Sequence, residues 1–219
     1  MKSAVILCNG EFPRKPYPLY LLQSADVFVC CDGAFAAFLR RRSRLKGLEN
    51  RLPDAVVGDF DSLSPRLRKQ YADRMVRIEE QDDNDQTKAF RHLLGHWPDV
   101  TVIHILGASG KREDHTIGNL SLLMEYPRRF DLGGIRVDAV SDYGTAFALT
   151  DTTTLDVGEG RRISIFSPDN SLRIKSEGLV WPTDDVVFDN WWKATLNRAS
   201  ADRVTLTFSH PSRALILLD

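Results

Sequence analysis

The sequence has few cysteines and no excess of charge of either sign, and each shortage limits the possible functions. The chain of 219 residues contains three cysteines, Cys8, Cys30 and Cys31, and each stands in a run typical of a buried strand. Adjacent cysteines are poorly placed for a structural disulfide, which favours a reducing compartment. The formal net charge is −1, so no general field attracts nucleic acid or an anionic membrane, and any anion site must be local.

Long apolar runs are lacking as well. The run at 4–8 follows the first residues directly and is too short for the core of a signal peptide or for a membrane span. We therefore expect a cytoplasmic protein without a membrane partner. With 42% hydrophobic and 27% charged residues, the composition is that of an ordinary globular protein, and 219 residues suit one large domain or two small ones.

Short apolar runs alternate with helix-like segments in the first part of the chain. The runs are rich in Val, Ile, Leu and Phe with little polar alternation, which is typical of strands covered on both faces of a parallel sheet. They lie at 4–8, 26–31, 54–57 and 100–106. Helices are predicted at 33–45, from Ser64-Pro65 onward, and roughly at 85–94 and 115–126. This alternation predicts an α/β domain with a mainly parallel open sheet, over residues 1–132.

The pattern changes after Pro127, where short β-prone runs are separated by turn residues and no helical periodicity is found. The runs lie at 135–140, 146–150, 162–166, 172–175, 204–208 and 214–218. Such spacing is typical of a β-sandwich or a barrel-like domain. We predict an all-β sandwich as a C-terminal domain over residues 133–219.

Acidic and glycine-rich clusters follow several of the predicted strands, at 31–34, 58–62 and 107–115. Ligands of open α/β sheets bind beyond the carboxyl ends of the strands, so these clusters are the candidates for a site. If the backbone stays extended past the third strand, Asp59 and Asp61 point to the same side and can both reach one hard cation such as Mg²⁺. The alternative is that this Asp-Phe-Asp-Ser turn only solvates the strand end.

A further cluster at 81–88 opens a predicted helix. Asp82, Asp85 and Lys88 recur at intervals of three, so Asp85 and Lys88 share a helix face if the helix starts near Asp85. A carboxylate that holds metal then lies beside a lysine that holds phosphate. The alternative is that one of residues 82–84 is the N-cap and that the remaining charge complements the helix dipole.

The cluster at 107–115 has the features of a phosphate cradle. Gly107 and Gly110 permit close approach of the backbone, and Arg112 offers a planar fork for phosphate oxygens. The cluster is not a Walker A loop, because Ile105 stands where that motif needs glycine and Arg112 where it needs Ser or Thr. His115, at the start of a predicted helix, is either a ligand-binding residue or a structural capping histidine.

Taken in order, these clusters resemble the thiamine pyrophosphokinase family. Its motifs are Asp-Gly-Ala, here at 32–34, Gly-Asp-Phe-Asp-Ser at 58–62, Asp-x-x-Thr-Asp-x-x-Lys, assigned to 82–88, and Gly-x-x-Gly-Gly-Arg-x-Asp-His-x-x-x-Asn at 107–119. In the second domain, 178–182 resembles the family's Gly-Leu-x-Trp-Pro and 195–197 its Thr-Ser-Asn. Three positions depart from the motifs: Asn84 replaces a threonine, Lys111 a glycine, and Leu196 a serine that faces the pyrimidine.

The resemblance implies transfer of the diphosphate of ATP to the hydroxyl of thiamine, giving thiamine diphosphate and AMP, with Mg²⁺ as cofactor. It implies that Asp59, Asp61 and Asp85 hold the metal and that Lys88 and Arg112 neutralise the phosphates. The implied substrate-binding residues are Asp32, Asp82, Asp114, His115, Asn119, Trp181, Thr195 and Asn197. The family's acceptor site lies between two subunits, which implies a homodimer. Trp181, Trp191 and Trp192 can stack on an aromatic ligand or belong to a core or an interface.

Three other functions remain open at this point. Leu196 leaves room for a pyrophosphokinase acting on another heterocyclic alcohol, such as a hydroxymethylpterin. A non-catalytic nucleotide sensor of the same fold is possible, because fold alone does not establish function. The Asp-x-Asp at 59–61 also occurs in haloacid-dehalogenase-like phosphatases, but Leu63 stands where they have Thr or Val, and the cluster at 112–115 has no role in them.

Overall fold

The computed structural model describes residues 1–219 and separates them into two compact units. The first unit comprises residues 1–119 and 132–142, and the second comprises 120–131 and 143–219. The predicted domain boundary after residue 132 remains a prediction. No helix combines the length and the apolar composition that crossing a bilayer requires.

The first unit contains a parallel sheet with strand order β6-β5-β1-β2-β3-β4. Its strands are β1 (Ser3–Leu7), β2 (Val27–Cys31), β3 (Ala55–Gly58), β4 (Met75–Arg77), β5 (Val102–Leu106) and β6 (Arg136–Val140). The helices are α1 (Pro16–Ser24), α2 (Asp32–Arg42), α3 (Pro65–Gln70), α4 (Asp85–His96) and α5 (Glu113–Arg129), and a 3-10 turn spans Ala72–Arg74. Helix α5 begins in the first unit and continues in the second.

Burial of the strands follows their composition. Every residue of β2, β3 and β5 is buried, as expected for apolar strands inside a parallel sheet. Two helices start where polar caps stand in the sequence: the Ser64 hydroxyl accepts from the Leu67 amide (3.4 Å) before α3, and the Asn84 side chain accepts from the Thr87 amide (3.0 Å) before α4. The predicted α/β class is confirmed.

Two elements of this unit carry no clear signal in the sequence. Helix α1 has prolines at Pro16 and Pro18, which the first turn of a helix tolerates because its amides have no partner inside the helix. Strand β4 has three residues, none of them buried, and pairs with one neighbour, β3. A strand this short and exposed lacks the apolar run by which a buried strand is recognised.

The second unit contains two antiparallel sheets, ordered β11-β9-β13-β7 and β10-β12-β8. Their strands are β7 (Thr145–Leu149), β8 (Thr153–Asp156), β9 (Arg162–Phe166), β10 (Ile174–Glu177), β11 (Asn197–Arg198), β12 (Arg203–Phe208) and β13 (Ala214–Leu218). One apolar core takes side chains from both sheets, among them Ile163 and Ile216 from the first and Ile174 and Leu206 from the second. The predicted β-sandwich is confirmed.

Candidate functional site

A pocket of about 400 Å³ opens in the first unit, beyond the carboxyl ends of the parallel strands. Segments that follow β1, β3 and β5 meet the N-terminal turns of α4 and α5 around it, as expected for an open α/β sheet. Of the predicted site residues, the pocket is lined by Asp59, Asp85, Lys88, Arg112, His115 and Asn119. Asp32, Asp61, Asp82 and Asp114 do not line it, and Trp181, Thr195 and Asn197 belong to the second unit.

The chain turns sharply after β3, which overturns one step of the sequence argument. Phe60 has a φ of 69°, so the backbone is not extended between Asp59 and Asp61, and strand alternation does not place their carboxylates on one side. Instead, the Asp61 amide donates to Asp59 Oδ1 at 3.1 Å. This hydrogen bond lowers the pKa of Asp59. Asp59 lines the pocket, while the Asp61 side chain is exposed.

The carboxylate of Asp32 holds this turn in place. Its side chain is buried and accepts from the Phe60 amide at 2.9 Å and from the Gly33 amide. A Cβ atom on Gly58 would lie 2.7 Å from the Asp32 carboxyl carbon, so glycine is required there for the close approach. Burial raises the pKa of Asp32. The carboxylate therefore positions Asp59 through the backbone of the turn.

Helix α4 starts at Asp85, as the shared-face argument required, and presents both Asp85 and Lys88 to the pocket. Lys88 is 2% exposed, which is unusual for a lysine unless it meets charged partners. Burial raises the pKa of Asp85, the nearby Asp32 raises it further, and Lys88 opposes the rise. The two side chains therefore lie close enough for the charge of Lys88 to favour the ionised form of Asp85.

The segment before α4 corrects the motif assignment. Counted back from Lys88, the eight-residue motif begins at Gln81 and not at Asp82, so glutamine stands where the family has aspartate. Gln81 lines the pocket, and its side-chain hydrogen bond helps to lower the pKa of Asp59. The exposed Asp82 does not line the pocket, and its backbone amide donates to Glu80 at 3.0 Å.

The loop after β5 is fixed against the end of β1. The Gly10 amide donates to the Gly107 carbonyl (2.7 Å), and the Glu11 amide donates to the Ser109 carbonyl (2.7 Å). Gly107 and Gly110 have φ values of 66° and 90°, in the left-handed region that favours glycine. The backbone conformation thus explains why glycine stands at both positions of the predicted phosphate cradle. Main-chain hydrogen bonds join the loop to the segment after β1.

Arg112 and Asp114 form a bidentate ion pair at the start of α5. Arg112 Nε lies 3.1 Å from Asp114 Oδ1, and Arg112 Nη2 lies 2.5 Å from Asp114 Oδ2. His115 Nδ1 lies 3.0 Å from Asp114 Oδ1. The guanidinium and the hydrogen bonds from His115 hold the pKa of Asp114 well below its usual range. Asp114 therefore orients two pocket-lining side chains while standing outside the pocket itself.

Asn119 links the helices that border the pocket. Its Oδ1 accepts from Asn84 Nδ2 at 2.8 Å, and its Nδ2 donates to the Ala108 carbonyl at 2.8 Å. The Gln86 side chain donates to the Asn119 carbonyl at 3.0 Å. The amide of Asn119 thus joins the cap of α4 to the loop after β5. Asn84, the first departure from the family motif, is part of this bridge.

Sequence reasoning missed the segment after β1. Cys8, Asn9 and Gly10 line the pocket, and Gln86 lines it from α4. The signal was partial, because Asn9-Gly10 directly follows an apolar run, as the recognised clusters do, but has no acidic cluster beside it. Gln86 gave no signal, since a glutamine in the first turn of a helix is ordinary on an exposed face.

The candidate acceptor residues of the second unit lie in or next to an exposed aromatic loop, residues 178–196, which joins β10 to β11. Trp181 is 58% exposed and Trp192 is 68% exposed. Asn197 holds the backbone of Trp181 from both sides, accepting from its amide (3.2 Å) and donating to its carbonyl (2.6 Å). The Thr195 hydroxyl donates to the Trp192 carbonyl at 2.7 Å. Leu196, with a φ of 57°, is 78% exposed. The polar side chains thus hold the loop, and the apolar ones face outward.

No group of three or more acidic, histidine or cysteine side chains is arranged in the structure to hold a metal ion. The donors that line the pocket, Asp59 and Asp85, are nevertheless close enough for Asp59 to raise the pKa of Asp85. Two neighbouring carboxylates are oxygen donors of the kind that a hard divalent cation prefers. The chemistry of this donor pair fits magnesium.

Comparison with known families agrees with this geometry in both units. Residues 19–132 match the family described as "Thiamin pyrophosphokinase, catalytic domain", and residues 144–212 match "Thiamin pyrophosphokinase, substrate-binding domain". The chain belongs to the thiamin pyrophosphokinase family. Membership in this family replaces the phosphatase interpretation of the Asp-x-Asp motif.

Curated relatives carry the same family name. Thiamine pyrophosphokinase 1 of Oryza sativa subsp. japonica is 28% identical over 175 residues, covering 73% of this chain and 63% of the relative. Thiamine pyrophosphokinase 1 of Arabidopsis thaliana is 26% identical over 141 residues, covering 58% of this chain and 52% of the relative. The aligned part of the chain thus spans between half and two thirds of the length of these relatives.

Solved structures of thiamin pyrophosphokinases share the fold. The Bacillus subtilis enzyme superposes with a TM-score of 0.76 at 18% identity, over 100% of this chain and 99% of the other. The Candida albicans enzyme gives a TM-score of 0.77 at 17% identity, over 98% and 89%. At such low identity the likeness establishes the architecture, and the function has to be argued from the site.

Proposed function

We propose that this protein is an ATP-dependent thiamine pyrophosphokinase, transferring the terminal diphosphate of ATP to the hydroxyl of thiamine and releasing AMP. The observation that carries the proposal is the pocket at the end of the parallel sheet. It brings together two carboxylates, Asp59 and Asp85, with two cations, Lys88 and Arg112. A polyphosphate and its counterion need this combination of charges, whereas a neutral ligand does not.

Magnesium is the cofactor that this donor set fits. Asp59 and Asp85, which line the pocket, would hold it. Asp61 is proposed as a third donor on the motif alone, since its exposed side chain does not line the pocket. Asp32 acts indirectly, by fixing the turn that bears Asp59. Bound magnesium would supply neutralisation of charge on the phosphate oxygens. The raised pKa of Asp85 and the lowered pKa of Asp59 give the two donors unequal proton affinities in the free protein. An aspartate of this group also accepts the proton that the attacking hydroxyl loses.

The cations of the pocket have separate tasks. Lys88 is buried and fixed on α4, so it can pair with a phosphate oxygen at little entropic cost. Arg112 is already aligned by Asp114, and its planar fork suits two phosphate oxygens at once. Together they stabilise the charge that shifts to AMP as the bond to the β-phosphorus breaks. Positioning and charge neutralisation supply most of the rate in this chemistry.

The exposed aromatic loop of the second unit is proposed as part of the thiamine site. Thiamine is a cation with an aromatic pyrimidine, and a tryptophan face attracts both. Trp181 offers such a face, on a backbone that Asn197 holds with two hydrogen bonds. Thr195 fixes another part of the same loop by donating to the Trp192 carbonyl. We further propose a homodimer with the acceptor site at the subunit interface, and a cytoplasmic location consistent with three unpaired, buried cysteines.

Another heterocyclic alcohol remains the second candidate acceptor, because Leu196 places an exposed apolar side chain where the family has a serine. A hydroxymethylpterin has an aromatic ring that the same loop can stack on. Leu196 does not line the pocket proposed for ATP. The identity of the acceptor is therefore a separate question from the transfer chemistry.

The proposal is tested by incubating the protein with ATP and magnesium, with thiamine or hydroxymethylpterin, and separating AMP, ADP and the diphosphate ester by chromatography. AMP and thiamine diphosphate in equal amounts are the expected products. Asp59→Asn should lower turnover by at least about a hundred-fold. Asp73→Asn, which changes an exposed aspartate outside the pocket, is the matched control.

Each other outcome has a distinct meaning. AMP formed with the pterin alone would keep the transfer chemistry and exclude thiamine. ATP binding without AMP from any acceptor would favour the nucleotide sensor. Turnover by Asp59→Asn equal to that of Asp73→Asn would exclude the proposed role of Asp59.

A further inference from the structure

Lys111 stands between two pockets of the first unit. It lines the pocket of about 400 Å³ and also a neighbouring pocket of about 190 Å³. Both pockets share Cys8, Asn9 and Gly10 as well as Lys111, so they meet at this point. The smaller pocket adds two further cationic side chains, those of Arg14 and Arg41. Lys111 is thus the cation that borders both spaces.

The position of Lys111 is set by the surrounding backbone. The loop that bears it is bound to the segment after β1 by the amides of Gly10 and Glu11, and the Gly110 amide donates to Thr116 Oγ1 at 3.3 Å. Lys111 Nζ donates to Asn9 Oδ1 at 2.9 Å. A Cβ atom on Gly33 would overlap the Asn9 amide, so that side chain is itself closely packed. The ammonium group is therefore held at the junction before any ligand arrives.

Lys111 differs in its partners from three of the neighbouring cations, Arg112, Arg14 and Lys88. The charge of Arg112 is matched by Asp114, and Arg14 pairs with Glu11 at 2.7 Å. Lys88 lies near the carboxylate of Asp85, whose pKa it lowers. Lys111 has no carboxylate partner in the structure, and its side-chain hydrogen bond goes to the neutral amide of Asn9. Its full charge thus faces the junction of the two pockets and is available to an anionic ligand.

We propose that Lys111 is a phosphate-binding residue of this chain. Its ammonium group gives up the hydrogen bond to Asn9 and pairs with an oxygen of the triphosphate of ATP. The inference rests on the proposed function and extends it, because the family motif has glycine at this position and so places no cation there. ATP is the anion among the two substrates, whereas thiamine is a cation that Lys111 repels. The lysine therefore discriminates in favour of the nucleotide.

The effect falls on nucleotide binding and not on the chemical step. An exposed ammonium at the junction pairs with the bound triphosphate and with the transition state alike, and such uniform binding changes KM with little change in kcat. A charge-assisted hydrogen bond at a pocket mouth corresponds to a change of about five- to ten-fold in the dissociation constant. The contact is also screened by salt.

The test measures ATP binding by calorimetry, in the presence of magnesium and the absence of an acceptor, for the whole protein and for Lys111→Met, Lys111→Gly and Lys111→Arg. We expect Lys111→Met and Lys111→Gly to weaken ATP binding about five- to ten-fold and to reduce its salt dependence, and Lys111→Arg to restore most of the affinity. Lys46→Met, which changes an exposed lysine outside both pockets, should bind ATP as the unaltered protein does. Unaltered melting temperatures show that the variants are folded.

The outcomes separate this inference from the proposed function. Equal ATP affinity for Lys111→Met and Lys46→Met would overturn the inference and leave the proposed function intact. A fall in kcat with ATP affinity retained would also overturn it, since Lys111 would then act in the chemical step. Weaker ATP binding by Lys111→Met in a protein that forms no thiamine diphosphate would support the inference and contradict the proposed function. An unaltered protein that does not bind ATP would overturn both.

Discussion

The two units both use polar side chains to hold loops, but they present different kinds of side chain on those loops. In the first unit, buried carboxylates and amides such as Asp32 and Asn119 hold the loops, and charged side chains such as Asp59 and Lys88 face a pocket. In the second unit, Asn197 and Thr195 also hold a loop, but the side chains that it presents are the exposed rings of the tryptophans. This difference supports the proposal that the first unit binds an anion with its metal and that the second binds an aromatic cation.

The largest effect is expected at Lys88, which tests whether the charges of the first unit do the chemistry. Lys88→Met keeps the length of the side chain and removes a cation that is 2% exposed. Loss of this preorganised charge should lower kcat by at least about a hundred-fold. Steady-state kinetics measures the effect, with Lys46→Met as the control. A fall in thiamine affinity with kcat unchanged would mean that Lys88 contacts thiamine, and it would contradict the division of tasks between the two units.

The next effect is expected at Trp181, which tests whether the second unit recognises the acceptor. Trp181→Ala removes the proposed stacking face and should raise the KM for thiamine about ten-fold, because a cation–π contact of this kind contributes on the order of 1 to 2 kcal/mol. The KM for ATP should stay unchanged. Trp192→Ala, in the same region of the second unit, is the comparison variant. An equal loss from both would mean that the loop as a whole, and not Trp181, makes the contact.

Asn197→Ala should have a smaller effect on the same step. The side chain bonds the amide and the carbonyl of Trp181, so its removal loosens the position of the ring without deleting it. We expect the KM for thiamine to rise about three-fold and the free energy of unfolding to fall by about 1 to 2 kcal/mol. Chemical denaturation monitored by tryptophan fluorescence measures the second quantity. A larger effect on KM than that of Trp181→Ala would show that Asn197 touches the substrate itself.

The smallest effect concerns stability and lies away from both sites. Asp169 accepts hydrogen bonds from Ser171 (2.6 Å) and Ser212 (2.6 Å) and contacts His210, and these interactions hold its pKa well below the usual range. A lowered pKa in the folded state gives stability that is present above the unfolded pKa, near 4, and is lost as pH falls.

The melting temperature of Asp169→Asn should therefore fall less steeply below about pH 4 than that of the unaltered protein, and it should be slightly lower at neutral pH. Thermal unfolding across pH 3 to about pH 7 measures both changes. Identical acid sensitivity of the two proteins would show that other carboxylates of the fold cause it.

The sequence predicts the first unit better than the second, because local patterns mark its strands and helix starts. Apolar runs mark the buried strands, and the caps at Ser64 and Asn84 mark helix starts, so the parallel sheet and the clusters at its edge are recognisable. Asp59 and Asp61 point to the same side only if the backbone stays extended after β3, and the structure does not meet this condition. Phe60 is left-handed there, and its amide bonds to Asp32, which is distant in sequence. Local pattern cannot reveal a conformation that a remote carboxylate imposes.

The role of the polar residues of the second unit was beyond the reach of sequence for the same reason. Asn197 matches a family motif, but its bonds to the backbone of Trp181 join positions that are 16 residues apart. Asn9 was missed although it follows the first strand, because a single asparagine lacks the acidic cluster that marks the other strand ends. Composition indicates the chemistry of a site, whereas long-range hydrogen bonds decide which side chains face it.

We propose that the diphosphate of ATP is transferred as one group in the pocket of the first unit. The most direct test follows the phosphorus atoms of labelled ATP into the products. The protein is incubated with thiamine, magnesium and ATP carrying radioactive phosphorus in the β or the γ position, and the products are separated. The account predicts that either label appears in thiamine diphosphate and that AMP is unlabelled. Labelled ADP from the β-labelled substrate, or orthophosphate from the γ-labelled one in place of thiamine diphosphate, would contradict it.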